Sequence, residues 1–265
     1  MSDLTALTTA AAGAMAALGV PVFLALQVQR APYGKYASTA APLYGPPIDG
    51  RLAWVLQEAP AFVLVAIAWA TAAVTAAPGS DLTRLSTRTV LLAAFLLHYA
   101  NRAFVYPLRM RGAKPTPLLV MLMAACFCLW NGAMQGAYLT RVAPPSTSAD
   151  MMAPHFLGGL ALFALGMAIN WQADGILRNL RRPGESGYRI PRGGAFEWVS
   201  GANFAGEILE WSGWALAQPA SLPAAAFAFF TFANIAPRAQ QHHAWYLATF
   251  PDYPRGRWAV IPFVL

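Results

Sequence analysis

The chain has 265 residues, of which 57% are hydrophobic and 11% charged, with a mean hydropathy of +0.45; soluble domains average about 25% charged. This composition excludes a water-soluble globule, and the 12% aromatic share excludes a disordered chain. The net charge of +7 has no soluble basic face to occupy, so no nucleic-acid partner is expected, whereas basic loops facing anionic lipid or an anionic cofactor fit it.

In chain order, seven apolar runs approach the ~20 residues that a spanning helix needs. They are Leu4 to Leu26, Leu52 to Ala77, Leu85 to Tyr106, Leu118 to Leu139, Met152 to Asp174, Val199 to Ala217 and Leu222 to Phe250. Turn-forming clusters separate them, including Pro42-Leu-Tyr-Gly-Pro-Pro47, Pro78-Gly-Ser-Asp81, Pro115-Thr-Pro117, Pro144-Pro-Ser146, Arg182-Pro-Gly184 and Arg192-Gly-Gly194. The predicted fold is all-α: a polytopic integral membrane protein with seven transmembrane helices, forming a single membrane-embedded domain over residues 1–265. Six spans and one half-buried helix are the fallback, because the last two runs are short or polar at their ends. The first run carries Asp3 and lacks a basic leading segment, so it is expected to be a retained helix, not a cleaved signal. Cys126 and Cys128 lie too close in sequence to imply a disulfide framework or a zinc site.

Orientation follows from the basic residues of the short loops. One side collects Arg30, Lys35, Arg51, Arg109, Arg111, Lys114, Arg178, Arg181, Arg182, Arg189, Arg192, Arg238, Arg255 and Arg257; the other has Arg84, Arg88 and Arg141. The N-terminus is therefore expected outside and the C-terminus in the cytosol.

Within the apolar runs stand Gln57, Glu58, His98, Tyr99, Asn101, Arg102, Asn170, Asp174, Asn203, Glu207, Glu210, Asn234, Arg238 and His242. An ionisable group at mid-bilayer costs about 2.5–3.5 kcal/mol even on insertion scales, so such groups face the bundle interior. Asn170 and Asp174 are spaced i, i+4, and Asn203, Glu207 and Glu210 i, i+4, i+7, so each set forms one helical stripe. Interhelical hydrogen bonds, worth about 0.6 kcal/mol each, would account for one or two such groups; polar stripes on several helices predict a shared polar cavity. The arginines that follow Asp174 suit a phosphate-rich cofactor, although the positive-inside signal alone also supplies basic loops. No G-x-G-x-x-G after a strand and no P-loop motif occurs, so a dinucleotide must lie between helices and loops. His242 and His243 project about 100° apart on a helix, and no metal is expected. Gly132-x-x-x-Gly136 permits close helix packing.

These motifs resemble one family over nearly the whole chain, the steroid 5α-reductases (3-oxo-5α-steroid 4-dehydrogenases). The resemblance rests on Pro32-Tyr-Gly-Lys-Tyr36, Ala53-Trp-Val-Leu-Gln-Glu-Ala-Pro60, His98-Tyr-Ala-Asn-Arg-Ala-Phe-Val-Tyr106, Asn170-Trp-Gln-Ala-Asp174 and Leu177-Arg-Asn-Leu-Arg-Arg-Pro-Gly-Glu185. Tyr188-Arg-Ile-Pro-Arg-Gly-Gly194, Val199-Ser-Gly-Ala-Asn-Phe-Ala-Gly-Glu-Ile-Leu-Glu-Trp211, Asp252-Tyr-Pro254 and Ile261-Pro-Phe263 complete the ordered series.

The resemblance implies NADPH-dependent reduction of the C4=C5 bond of a 3-oxo-Δ4-steroid of the progesterone or testosterone type to the 5α-dihydro product. As C5 is reduced, negative charge develops on the C3 oxygen, and donors aimed there stabilise the transition state. Tyr99 and Glu58 match the family's carbonyl-binding pair, with Glu58 either donating as a neutral acid or holding Tyr99. Asn170, Asp174, Arg178, Arg181, Tyr188, Arg189, Asn203, Glu207, Arg238, His242 and Tyr246 match positions around NADPH, joined by Tyr33, Lys35, Arg111 and Lys114. Trp54, Phe62 and Phe104 are expected to wall the steroid cavity, which residues 1–141 chiefly form, while 152–265 chiefly bind NADPH. Gln240-Gln241-His242-His243-Ala244 departs from relatives that carry a longer His or aromatic run.

The steroid is expected to enter from the lipid bilayer, the protein to be a monomer, and the membrane to be the bacterial inner membrane or the endoplasmic reticulum. Three competing functions are a trans-2-enoyl-CoA reductase, an S-adenosylmethionine-dependent membrane methyltransferase and a non-catalytic steroid carrier. The methyltransferase leaves the Gln57-Glu58 and His98-Tyr99 motifs unexplained, and the carrier leaves the Arg, Asn and Asp set unexplained.

Overall fold

A computed structural model of the protein describes residues 2–31, 43–180 and 187–265. The seven apolar runs correspond to helices α1 (Ser2–Val28), α2 (Gly50–Thr75), α3 (Thr87–Ala100), α4 (Leu118–Ala137), α5 (Pro154–Asn179), α6 (Ala202–Ala217) and α7 (Leu222–Thr249). Strands β1 (Pro47–Ile48) and β2 (Thr116–Pro117) form a short antiparallel pair that brings the start of α2 to the start of α4. Among the described residues, five helices are long and apolar enough to cross a membrane: α1, α2, α3 extended to Arg109, α4 extended to Val142, and α5. At 16 residues α6 is about 24 Å long, less than a bilayer core. Just before it, Ser200 N donates to Trp258 O (2.8 Å) and Gly201 N to Ala259 O (2.9 Å), which ties the approach to α6 to the C-terminal segment.

The helix ends follow from local chemistry. Asp49 accepts from Arg51 N and Leu52 N at the start of α2, and Ser86 and Thr89 form a capping box at the start of α3. Beyond Ala100, α3 widens into a π turn over Asn101–Val105 before Tyr106–Arg109. The cause is Pro107, which has no N–H and whose ring would press on the carbonyl four residues back; the wider turn, closed by Tyr106 N on Asn101 O, accommodates it. A second π turn, Tyr138–Val142, ends α4 where Ala143 goes extended before Pro144.

The helices pack as two compact units. The first comprises Met1–Ala14, Ala31–Leu157 and Ala220–Pro223, and its main contact is α2 on α4. Small residues set that distance: a Cβ on Gly132 would lie 2.8 Å from Ala61 Cα, and one on Gly136 would lie 3.1 Å from Ala68 Cβ. A buried ion pair closes the far end. Arg88 Nη1 meets Asp81 Oδ1 at 3.2 Å, Arg88 Nε donates to Leu139 O, and Ser146 N donates to Asp81 Oδ2. Arg88 thus serves as an internal clamp between helix ends and is buried, although it falls among the loop cations in the sequence.

The second unit comprises Met15–Arg30, Gly158–Pro219 and Ala224–Leu265. Here α5 and α6 touch through two glycine pairs, Gly159 against Gly213 and Gly166 against Gly206. A Cβ on any of the four would lie 2.6–2.7 Å from the facing glycine's carbonyl oxygen. Trp211 and Trp214 fill the adjoining space with Phe163 and Phe227. The C-terminal half of α1 packs on α7 through Phe23 and Phe232, and Gln241 Nε2 donates to Leu26 O and Gln29 O. Gln241 therefore satisfies carbonyls at the end of α1.

Overpacking at a backbone contact of this kind costs about 1–3 kcal/mol. Gly166→Ala is expected to lower the thermal unfolding midpoint of the solubilised protein. Gly158→Ala, where a Cβ meets nothing within 4 Å among the described residues, should leave it unchanged; equal midpoints for both variants would refute the glycine contact.

Candidate active site

In the first unit, α2 presents Gln57 and half-buried Glu58, α3 presents buried His98 and Tyr99, and α4 presents buried Cys128, Asn131 and Gln135. The close α2–α4 approach at Gly132 brings Cys128 to Glu58: its Sγ donates to Glu58 Oε2 at 3.7 Å, while Gln57 Nε2 donates to Oε1 at 3.4 Å. One turn further along the same face, Asn131 Nδ2 donates to Tyr99 Oη at 3.4 Å. Gln135 Nε2 donates to Asn131 Oδ1 at 3.3 Å and to Pro223 O at 2.9 Å. Glu58 and Tyr99 are thus held from neighbouring turns of one polar stripe on α4. The Tyr99 ring packs against a tilted Phe95 ring and, edge to face, against His98, at centroid distances of 4.7 and 5.0 Å.

On α2, Trp54 and Phe62 stand one turn before and one turn after Glu58. Phe62 and half-exposed Phe104 meet edge to face at 5.3 Å. The guanidinium of Arg102, on the π turn, stands 4.9 Å from the Trp54 ring and 5.2 Å from that of Tyr106. Trp54 Nε1 is buried and has no hydrogen-bond partner among the described residues. Arg111 and Lys114 are exposed residues of this same unit, between α3 and β2.

The second unit gathers most of the expected cofactor residues. Asn170 and Asp174 are buried on α5, with Arg178 one turn on; Asn203 and Glu207 are half-buried on α6; Arg238, His242 and Tyr246 follow on α7. Asn170 Nδ2 donates to Asn203 O at 2.9 Å, a bond made possible because Gly206 lets the α5 backbone approach. Arg238 donates to Asn234 Oδ1 at 3.1 Å and lies over the Phe204 ring at 5.1 Å, with His242 on the same ring at 5.5 Å. His243 turns elsewhere, its Nδ1 2.6 Å from Ser200 Oγ, which also meets Tyr253 Oη at 2.6 Å. Tyr188 and Arg189 are exposed on the segment before α6, and Tyr188 packs on Trp245. That segment is tied down by Arg257, which donates to Pro191 O at 2.8 Å and pairs with Glu197 at 3.4 Å. Tyr33, Lys35 and Arg181 lie outside the described residues.

The sequence pattern of the family described as 3-oxo-5-alpha-steroid 4-dehydrogenase matches residues 114–265. Curated relatives match over nearly their full length. The cattle 3-oxo-5-alpha-steroid 4-dehydrogenase 1 is 47% identical over 94% of this chain and 93% of its own, and the human enzyme of that name is 44% identical over 94% and 92%. The human 3-oxo-5-alpha-steroid 4-dehydrogenase 2 is 45% identical over 96% and 95%. The chain belongs to this family. It is therefore a steroid 5α-reductase-family oxidoreductase with a helical, membrane-type architecture.

For this family member, sequence reasoning missed Asn131 and Gln135. The signal was available: two amides at i, i+4 inside the apolar run Leu118 to Leu139, the same pattern that marked α5 and α6. Cys128 also contributes, as a weak donor to Glu58.

The 3-oxo-5-alpha-steroid 4-dehydrogenase fold holds its 187–197 segment partly by charge. Gly193 N donates to Glu197 and, with the nearby Arg257 guanidinium, holds its carboxyl below the ordinary value of 4.5. A lowered carboxyl stabilises the fold above that ordinary value and ceases to do so as pH falls through the lowered one. Wild type is accordingly expected to unfold at higher temperature than Glu197→Gln at neutral pH, with the gap narrowing as pH drops below 4.5. A gap that widened on acidification would refute this role.

Proposed function

We propose that this protein reduces the C4=C5 bond of 3-oxo-Δ4-steroids of the progesterone or testosterone type, using NADPH, to 5α-dihydro products. The observation that carries the reading is that one polar stripe on α4 holds both Glu58, through Cys128, and Tyr99, through Asn131, in an otherwise apolar group of helices, with Trp54 and Phe62 one turn either side of Glu58 and Phe104 against Phe62. Such a site suits a rigid apolar ligand with one ketone. Tyr99 donates to the C3 oxygen, with Glu58 as its partner, and their bonds strengthen as charge moves onto that oxygen. C4 then takes a proton from water.

The donor set of the second unit fits NADPH by its chemistry. Arg178, Arg189 and Arg238 suit the phosphates, with Arg181 beside them in sequence. Asp174 and Glu207 can accept from hydroxyl or amide N–H groups, and Asn170, Asn203, His242, Tyr188 and Tyr246 complete a mixed polar lining. Tyr33, Lys35, Arg111 and Lys114 are further contacts in this reading. When bound, NADPH supplies the hydride that adds to C5. The 1–141 part would serve chiefly the steroid and 152–265 chiefly NADPH. All seven helices would then embed in the membrane, with the N-terminus outside, the NADPH side and C-terminus cytosolic, and the steroid arriving from the bilayer to a monomeric enzyme.

Solubilised protein given NADPH and testosterone or progesterone is expected to yield a product two hydrogens heavier by mass spectrometry; steroid binding with no NADPH consumption would overturn the reading in favour of a carrier. Tyr99→Phe and Glu58→Gln should each lower kcat by about a hundredfold, the loss seen for one donor to a developing oxyanion, and leave NADPH affinity nearly unchanged. Arg189→Ala should raise the KM for NADPH by about tenfold and that for steroid far less. The opposite pattern would mean that the two ends of the site are exchanged.

A further inference from the structure

The amides of α4 form a chain whose direction is fixed. Pro223 O, a peptide carbonyl, can only accept, so Gln135 must turn its nitrogen toward it. The same nitrogen donates to Asn131 Oδ1; the reversed amide would set Gln135 Oε1 against two acceptors. With its oxygen thus engaged, Asn131 directs Nδ2 at the phenol oxygen of Tyr99. Both amide side chains are fully buried, so bulk water does not compete for these groups. The phenol oxygen receives this hydrogen bond, so the Tyr99 hydroxyl turns its own hydrogen away from Asn131.

We infer that Asn131 and Gln135 are positioning residues that make Tyr99 a hydrogen-bond donor: the backbone carbonyl of Pro223 orients Gln135, Gln135 orients Asn131, and Asn131 fills the acceptor site of the Tyr99 phenol. Rotation of the phenol is thereby restricted before the ligand arrives, and donation to a ketone needs no reorganisation. A donor to the phenol oxygen also polarises its O–H bond and strengthens the bond it makes in turn. This role rests on the reading of Tyr99 as the group that meets the steroid C3 oxygen.

A double-mutant cycle on the full solubilised chain, with NADPH and testosterone, tests the relay separately from that reading. Asn131→Leu is expected to lower kcat about tenfold, the effect of one net hydrogen bond, with NADPH affinity and steroid KM changed less than about twofold. In a Tyr99→Phe background the same substitution should lower kcat by less than about twofold, because the phenol through which it acts is gone. A tenfold loss in both backgrounds, or none in the wild-type background, would overturn the relay while leaving Tyr99 catalytic. Full turnover by Tyr99→Phe alone would instead remove the reading of Tyr99, and the relay with it. Gln135→Leu, run through the same cycle, supplies the test one link earlier if Asn131→Leu is not recovered folded. It is expected to give a loss of the same sign and smaller size that also vanishes without the phenol.

Discussion

Direct backbone contact between helices at glycine is the constraint on which the other features depend. In an apolar environment no hydrophobic force distinguishes one helix face from another, so van der Waals fit and hydrogen bonds decide the packing. Gly132 against Ala61, and the pairs Gly159–Gly213 and Gly166–Gly206, leave no room for a Cβ. Each contact therefore sets both the distance and the facing surfaces of two helices. Glu58 reaches Cys128, and Asn170 reaches the Asn203 carbonyl, because these contacts hold α2 to α4 and α5 to α6.

Polar side chains in such a setting find partners inside the protein, because lipid offers none. The protein meets that demand in three ways. Asp81 and Arg88 neutralise each other and bond to the carbonyl of Leu139 and the amide of Ser146. Arg102 stacks its guanidinium against Trp54 and Tyr106 at the π turn. The amides of α4 connect to Tyr99 and end on a backbone carbonyl. The first two are closed arrangements suited to stability, whereas the third ends on the phenol of Tyr99, which packs against Phe95 and His98.

The π turn after Tyr99 joins these themes. Pro107 forces an extra residue into the helix, which rotates the side chains before and after it relative to a regular helix. His98 and Tyr99, before the turn, lie on the buried side of α3, whereas Phe104 and Val105, within it, are exposed.

Composition and run length by themselves determined the all-α, membrane-type class and the location of seven helices, because about 20 apolar residues between Pro and Gly clusters leave few alternatives in lipid. Motif order pointed to the family. That Glu58 and Tyr99 stand as polar groups inside helices was legible because a carboxyl and a phenol stand out in apolar runs, and the stripes Asn170–Asp174 and Asn203–Glu207 were legible from helical period. Asn131 and Gln135 show the same period, but which partner each amide meets depends on the crossing of α2, α3 and α4, which no local pattern encodes. Ser200 and Gln241 are similar: the backbone of one pairs with Trp258 ahead of α6, and the side chain of the other caps α1 from more than 200 residues away. Tertiary structure alone decided these matters, because hydrogen-bond direction and close backbone approach are relations between helices, not properties of any one of them.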